Sequence, residues 1–179
     1  MAPNQMTKTF SPRETAALMG ISESSVKRWV DSGRIRAERT AGGHRRIPLP
    51  DLVRFVREEG RAVVRPDLLG LDDSAGQAAP PMHDADGAFL RALLEGSQGR
   101  ARAILVGEYL AGRSVAGLVD DVLAPAMREV GSLWQSRQDG VFLEHRAVGV
   151  CEAALEAVRG LLLPPQPGAP VAVAGGPAD

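Results

Sequence analysis

The sequence contains little cysteine and few aromatic residues. Cys151 is the single cysteine among 179 residues, which excludes a disulfide framework and a four-thiolate zinc site. Phe, Trp and Tyr together make up 4% of the chain, whereas Gly and Pro number 20 and 13. These counts predict small-residue packing and at least one linker. Apolar residues reach 44%, enough for a packed core and too many for wholesale disorder.

Long hydrophobic runs and catalytic motifs are also missing. No apolar run approaches the roughly 18–20 residues of a membrane span, and the N-terminus lacks the charged-then-apolar layout of a signal peptide. We therefore expect a cytoplasmic protein without a membrane partner. The sequence shows no nucleophile–base pair, paired carboxylates or Walker-type loop, so we predict a non-enzymatic protein with no catalytic residue and no metal site.

The two ends of the chain differ in charge. Residues 1–65 carry 13 Lys and Arg against 7 Asp and Glu, whereas residues 66–179 carry 8 against 15. A basic head (residues 1–65) on an acidic body indicates a polyanionic partner at one end only. Chance clustering of surface charge is the alternative.

Pro- and Gly-rich stretches divide the chain into segments. We predict a linker over 66–83, a helical body over 84–163, and a second linker with one short strand over 164–179. The last ten residues, PVAVAGGPAD, are typical of a buried strand of a parallel sheet and its turn. Because a lone strand cannot form a sheet, this segment is either a frayed tail or the cut edge of a longer protein.

The head has a helix-turn-helix pattern. Ser11 is an N-cap that begins a first helix, which Gly20 ends, and a second helix begins at Ser22 or Glu23. Trp29 lies on the apolar face of this second helix. In such motifs the second helix enters the major groove of DNA. Its outward polar residues are therefore candidate DNA contacts: Ser24, Ser25, Lys27 and Arg28.

Two short strands joined by a turn at Ala41–Gly43 are predicted next. The glycines permit the positive φ of a tight turn, and arginines on such a hairpin can contact phosphates or enter a minor groove. The candidate contacts on this wing are Arg36, Arg39, Thr40, His44, Arg45 and Arg46. We interpret His44 as a wing residue because no second His or Cys stands near it. Pro50 and Asp51 then begin a third helix.

The body is predicted to contain four helices, over 84–94, 99–111, 115–135 and 141–163. Short joints favour antiparallel neighbours and hence a four-helix bundle. Pro125 lies inside the third helix, where we expect a bend rather than an end. Trp134 is in register with Met127 and Val130 and is predicted to face the same interior.

The fourth helix carries an apolar repeat that predicts its buried face. Its members alternate at spacings of three and four residues: Val141, Glu144, Val148, Cys151, Leu155, Val158 and Leu162. A buried carboxylate is costly unless it is paired, protonated or solvated. Glu144 is therefore either at the open end of the bundle or present for a ligand. Cys151 is interpreted as a small core residue, with a reactive thiol as the alternative.

The stretch from Phe10 to Glu59 resembles the winged helix-turn-helix of the MerR and excisionase-like families. The resemblance is carried by SPRETAALMGISESSVKRWVDSGRI and the wing AGGHRRI. It implies a recognition helix at Ser24 to Arg28 and a wing at Thr40 to Arg46. It further implies that the protein binds double-stranded operator DNA as a dimer or tetramer.

Trp134 and the later pair Glu144-His145 resemble the four-helix bundle of cobalamin-dependent MerR-type light sensors, the CarH/LitR-like repressors. The stretch DDVLAPAMREVGSLW also resembles the helical cap of corrinoid methyltransferase modules. The resemblance implies that Trp134, Glu144 and His145, with Val130 and Val141 beside them, cap the upper face of adenosylcobalamin. The fold class is then mainly α: a winged helix-turn-helix, a four-helix bundle and the vestigial first strand of a Rossmann-like domain.

The sequence departs from that family's pattern in two respects. Gln135 stands where some light-sensing members carry a His that takes a cobalt position after light cleaves the cobalt–carbon bond, so the resemblance does not extend to that photoadduct. Corrinoid-binding domains hold cobalt from below through the His of an Asp-x-His-x-x-Gly loop. The three histidines here, His44, His83 and His145, lie in no such loop. We therefore expect weak or absent adenosylcobalamin binding by this chain alone.

Three functions compete at this stage. The first is a transcriptional regulator, a repressor, whose bundle caps adenosylcobalamin in the complete protein and gives light-dependent control of oligomerisation and DNA binding. The second is a regulator of the same build whose bundle only oligomerises or binds another apolar ligand. The third, a corrinoid-carrier enzyme component, is disfavoured because a carrier needs no basic winged head.

Overall fold

The computed structural model describes residues 8–69, 84–133, 139–165 and 168–169. The head is formed by β1 (Thr9–Phe10), α1 (Pro12–Met19), α2 (Glu23–Asp31), β2 (Glu38–Arg39), β3 (Arg45–Pro48) and α3 (Leu49–Glu58), followed by a 3-10 turn at Pro66–Leu69. The strands form one antiparallel sheet in the order β1-β3-β2, with Phe10 opposite Ile47 and Arg39 opposite Arg45.

Local capping explains where the first two helices begin and end. The Ser11 backbone N–H donates to the Glu14 carboxylate at 2.7 Å, and the Glu14 N–H donates to Ser11 Oγ at 3.2 Å, which is a complete capping box. Gly20 ends α1 at a φ of 66°. Ser22 caps α2 by accepting the N–H of Ser25 at 3.2 Å. These predicted boundaries are confirmed.

The head core contains one strand that the sequence did not predict. The Trp29 and Phe55 rings pack with centroids 5.0 Å apart and join α2 to α3. Phe10 is buried on β1, which pairs with β3 and adds a third strand to the predicted hairpin. A two-residue strand is too short to show a period in the sequence. The third helix begins at Leu49, one residue before the predicted start at Pro50 and Asp51. Pro50 is tolerated in the first turn because a backbone N–H there would have no partner within the helix.

The body is a helical bundle of α4 (Ala85–Glu95), α5 (Gln98–Leu110), α6 (Val115–Leu118), a π-helical turn (Val119–Leu123), α7 (Ala124–Leu133) and α8 (Gly140–Arg159). The helix α8 packs along α5 and also against α4 and α7. The mainly helical fold class is therefore confirmed. The strand predicted within 170–179 lies outside the described residues. None of the described helices is both long and apolar enough to cross a membrane.

The chain stays helical through Pro125, as predicted. The distortion takes the form of the π-helical turn Val119–Leu123 immediately before it. Proline has no N–H to donate to the carbonyl four residues earlier, and its ring crowds that turn. A wider turn relieves this conflict without ending the helix.

The predicted buried face of α8 is wrong in part. Val141, Val148 and Leu155 are exposed, and Glu144 is half-buried at the surface. The buried residues of α8 are instead Gly140, Ala147, Val150, Cys151, Ala154 and Val158. Small residues let neighbouring helices approach closely, so Gly140, Ala147 and Ala154 face the bundle, whereas the larger side chains of Val141, Val148 and Leu155 point outward. Cys151 and Val158 lie within the predicted face and the buried set alike.

The predicted linker begins as an ordered part of the head. Lys8 Nζ donates to the Leu68 carbonyl at 2.8 Å, and the Val64 N–H donates to the Leu18 carbonyl at 2.9 Å. The side chain of Leu69 is buried. The rest of the predicted linker, 70–83, lies outside the described residues.

Candidate functional site

The N-terminal end of α2 presents a cluster of hydroxyl groups. Ser22 Oγ lies 2.9 Å from both Ser24 Oγ and Ser25 Oγ. Ser24 is exposed and Ser25 is half-buried. Because Val26 and Trp29 anchor the opposite face in the core, the cluster has a fixed position on the surface. Hydroxyls and helix N-terminal amides are suited to phosphate oxygens and base edges.

Two cations follow on the same surface of α2. Lys27 and Arg28 are both exposed. Lys27 Nζ forms an i,i+4 ion pair with Glu23 at 2.8 Å. Such a solvated pair contributes little to stability and is exchanged easily for a phosphate contact. The predicted recognition residues thus share one accessible surface.

The turn of the wing is held by backbone and hydroxyl contacts. Thr40 N–H donates to the His44 carbonyl at 3.0 Å, and His44 N–H donates to Thr40 Oγ1 at 3.2 Å. Gly43 has a φ of 78°, a conformation that favours glycine. His44, Arg36 and Arg39 are exposed.

Two wing arginines are tied to the helices by ion pairs. Arg45 Nη2 lies 2.6 Å from Asp31 Oδ1 at the end of α2, and Arg46 Nη1 lies 3.6 Å from the Glu14 carboxylate on α1. The pair to Asp31 joins the wing directly to the recognition helix. Residues 14 positions apart in sequence meet here, and no local pattern predicted this contact.

A second surface lies at the N-terminal half of α8. Val141 and Phe142 are 56% and 66% exposed, and Val148 is also exposed. Glu144 and His145 lie between them on the helix, half-buried and exposed respectively. The face combines apolar area with one carboxyl and one imidazole, which is a composition typical of ligand or partner surfaces. We call it the α8 face (Val141, Phe142, Glu144, His145 and Val148).

Two contacts fix the geometry of the α8 face. His145 Nδ1 lies 2.9 Å from the Val141 carbonyl. Since a carbonyl only accepts, this contact requires the proton on Nδ1 and leaves Nε2 of a neutral ring as an acceptor. Arg146 donates to the Leu94 carbonyl at the end of α4, and its guanidinium lies 5.6 Å from the Phe142 ring centroid. The hydrogen bond from Arg146 attaches this part of α8 to α4.

The structure brings together only part of the predicted ligand set. Val141, Glu144 and His145 share the α8 face, whereas Val130 is 1% exposed in the bundle core. Trp134 lies outside the described residues, and so does Gln135. The described residues contain no group of three or more His, Cys, Asp or Glu side chains arranged to hold a metal ion.

Two family models match the chain. Residues 9–60 match a helix-turn-helix domain, and residues 87–159 match a B12 binding domain. The first match indicates DNA binding and the second indicates cobalamin binding. Together the two matches suggest a B12-binding protein that is similar to transcription regulators. No curated protein matches the chain significantly.

Each matched range contains one of the two surfaces described above, that of α2 and the wing or the α8 face. The helix-turn-helix match contains α2 and the wing, and the B12 binding match ends at the last residue of α8. The DNA-binding match favours a regulator over an enzyme. Sequence reasoning missed Phe142, whose exposure became evident only once the register of α8 was known.

Proposed function

We propose that the chain is a cytoplasmic MerR-like transcriptional repressor of the CarH/LitR type. The head reads duplex operator DNA by placing α2 in the major groove, with Ser24, Ser25, Lys27 and Arg28 at bases and phosphates. The observation that carries this assignment is the common accessible surface of these side chains on a helix anchored by Trp29.

In this proposal the wing contacts the sugar-phosphate backbone of the DNA. Arg36, Arg39, Thr40, His44 and Arg46 are exposed and are proposed to contact phosphates or a narrow minor groove. Arg45 has the same proposed role, and its pair with Asp31 orients it. Phosphate contacts of this kind position the protein on the duplex, whereas base contacts specify the sequence.

The α8 face is proposed to contact the upper face of adenosylcobalamin, together with Trp134. The residues fit such a group: Val141 and Phe142 offer apolar area to a corrin ring, and Glu144 and His145 offer hydrogen-bonding groups to its amide side chains. Val130 is proposed to act from beneath, by supporting the helix that leads to Trp134. When bound, adenosylcobalamin would supply a light-sensitive cobalt–carbon bond.

Oligomerisation through the same helix is the second candidate function of the body. The exposed apolar row continues past the α8 face to Leu155, farther than a ligand contact at Val141 to Val148 requires. A homodimer or tetramer would pair two heads on two half-sites.

The two candidates are separated by cobalamin titration of matched variants. Visible absorbance after gel filtration, and weak binding by equilibrium dialysis, are measured for the wild type, Glu144→Gln with His145→Ala, and Leu155→Ser. We expect the double substitution at Glu144 and His145 to weaken cobalamin binding while Leu155→Ser leaves it unchanged. The opposite result, with Leu155→Ser changing only the oligomer size and no variant changing cobalamin binding, would support the oligomerisation function.

A further inference from the structure

The end of α3 meets the end of α5 through one arginine. Arg57 Nη1 donates to the Tyr109 carbonyl and, at 3.0 Å, to the Arg113 carbonyl, while Nη2 lies 3.4 Å from the Gly112 carbonyl. The guanidinium also lies 3.9 Å from the Tyr109 ring centroid. A single side chain of the head therefore contacts three carbonyls and one ring of the bundle.

The chemistry of this contact is specific to arginine. The Tyr109 carbonyl lies in the last turn of α5, at the negative end of the helix dipole, and the Gly112 and Arg113 carbonyls follow the helix end. A planar guanidinium has five donors in a fixed arrangement and can stack on an aromatic ring while it donates. A lysine ammonium has neither the breadth nor the plane to make the same set of contacts.

The carbonyls that Arg57 contacts belong to a braced segment. Arg113 Nε donates to the buried Glu108 carboxylate at 2.9 Å, and its Nη1 donates to Asp121 at 2.9 Å. These pairs connect the end of α5 to the π-helical turn. Because α5 also packs along α8, Arg57 connects the head to the helix that carries the α8 face.

The junction around Arg57 is partly open. A cleft of about 480 Å³ lies beside it, with Leu49 and Leu69 of the head on one side and Arg102, Val106 and Leu161 of the bundle on another. Buried apolar side chains of the head and the bundle belong to one hydrophobic cluster, and Arg57 adds three hydrogen bonds across the junction. In this arrangement Lys27 and Arg28 remain exposed, so the attached head can still contact DNA.

We propose that Arg57 is a positioning residue that fixes the orientation of the DNA-reading head on the bundle. In an oligomer the orientation of each head determines which separation of two DNA half-sites both heads can reach. This second step rests on the proposed function, whereas the attachment of the head does not.

The attachment is tested by ¹⁵N relaxation of the full chain, which measures the rotational correlation time of each domain. In the wild type the head and the bundle are expected to share one correlation time. In Arg57→Gln, and equally in the charge-conserving Arg57→Lys, the head is expected to tumble faster than the bundle while both keep their native amide spectra. Arg91→Gln, which removes an exposed ion pair of the bundle, is the matched control and should behave as wild type. A single shared correlation time in both Arg57 variants would overturn the proposal.

The positioning role is tested with DNA. Arg57→Lys is expected to bind an isolated half-site within about twofold of wild type. It should lose the preference of the wild type between operators whose half-site separations differ by about five base pairs, half a helical turn. An unchanged spacing preference would overturn the positioning role. If the wild type binds no duplex at all, the proposed DNA function fails, and the relaxation experiment still decides whether Arg57 attaches the head.

Discussion

At the scale of single residues, serine caps determine where the two helices of the proposed DNA-reading surface begin. Ser11 and Ser22 begin α1 and α2 by accepting backbone N–H groups three residues ahead, and both caps are predictable because the signal is local. The pairs of Arg45 with Asp31 and of Arg46 with Glu14 are not predictable in this way, since each joins elements that only the fold brings together.

The proposed roles of Arg28 and Arg46 predict different effects on DNA binding. Replacing Arg28 by Ala is expected to change the sequence preference by about 1–3 kcal/mol at one base pair. Replacing Arg46 by Gln should weaken binding to all duplexes nearly equally and reduce the slope of log K against log salt by about one. Fluorescence anisotropy across a set of operator variants and salt concentrations measures both. A uniform loss for Arg28→Ala, or a sequence-dependent loss for Arg46→Gln, would assign the roles the other way.

Glu14 predicts a pH dependence of the stability of the head. Hydrogen bonds from Ser11, aided by the charges of Arg46 and Lys8, hold the pKa of the Glu14 carboxyl below its ordinary value of 4.5. A lowered pKa in the folded state stabilises the fold fully above pH 4.5, and this contribution is lost as the pH falls through the folded-state pKa. The free energy of unfolding should therefore exceed that of Glu14→Gln near neutral pH and converge with it in acid. Urea unfolding of both proteins at neutral and at acidic pH measures the difference between their free energies of unfolding. A difference that does not change with pH contradicts the account.

At the scale of secondary-structure elements, α8 is the part that the sequence predicted least well. Apolar residues occur on all sides of α8, so spacings of three and four residues are compatible with two different buried faces. The choice was decided by packing, since Gly140, Ala147 and Ala154 permit close contact with the neighbouring helices. Larger side chains at Val141, Val148 and Leu155 were predicted inside on hydrophobicity alone. The corrected register places Glu144, which was predicted on the interior face, on the α8 face.

The register of α8 predicts opposite effects at two adjacent residues. Ala147 is fully buried, whereas Val148 is exposed. Ala147→Leu is expected to destabilise the chain by about 1–3 kcal/mol through overpacking, and Val148→Ala should change the stability by no more than about 0.5 kcal/mol. Chemical denaturation of both variants measures the two free energies of unfolding. A larger loss for Val148→Ala than for Ala147→Leu would restore the face predicted from the sequence.

At the scale of the whole molecule, charge and composition predicted the division into a basic head and an acidic helical body. The helix-turn-helix match covers 9–60 and the B12 binding match covers 87–159. The junction between the two parts could not be predicted, because Arg57 meets Tyr109 and Gly112 across more than fifty residues of chain. In the sequence Arg57 is one exposed-looking charge among many on the third helix.

The central claim, that one chain carries a DNA-reading surface on α2 and a cobalamin-facing surface on α8, is tested most directly by amide chemical-shift mapping. A ¹⁵N-labelled sample is titrated in the dark, first with duplex operator DNA and then separately with adenosylcobalamin. We predict DNA-induced shifts centred on Ser24 to Arg28 and the wing, and weaker cobalamin-induced shifts centred on Val141 to Val148. Cobalamin shifts centred away from α8, or DNA-induced shifts centred away from α2 and the wing, would contradict the account.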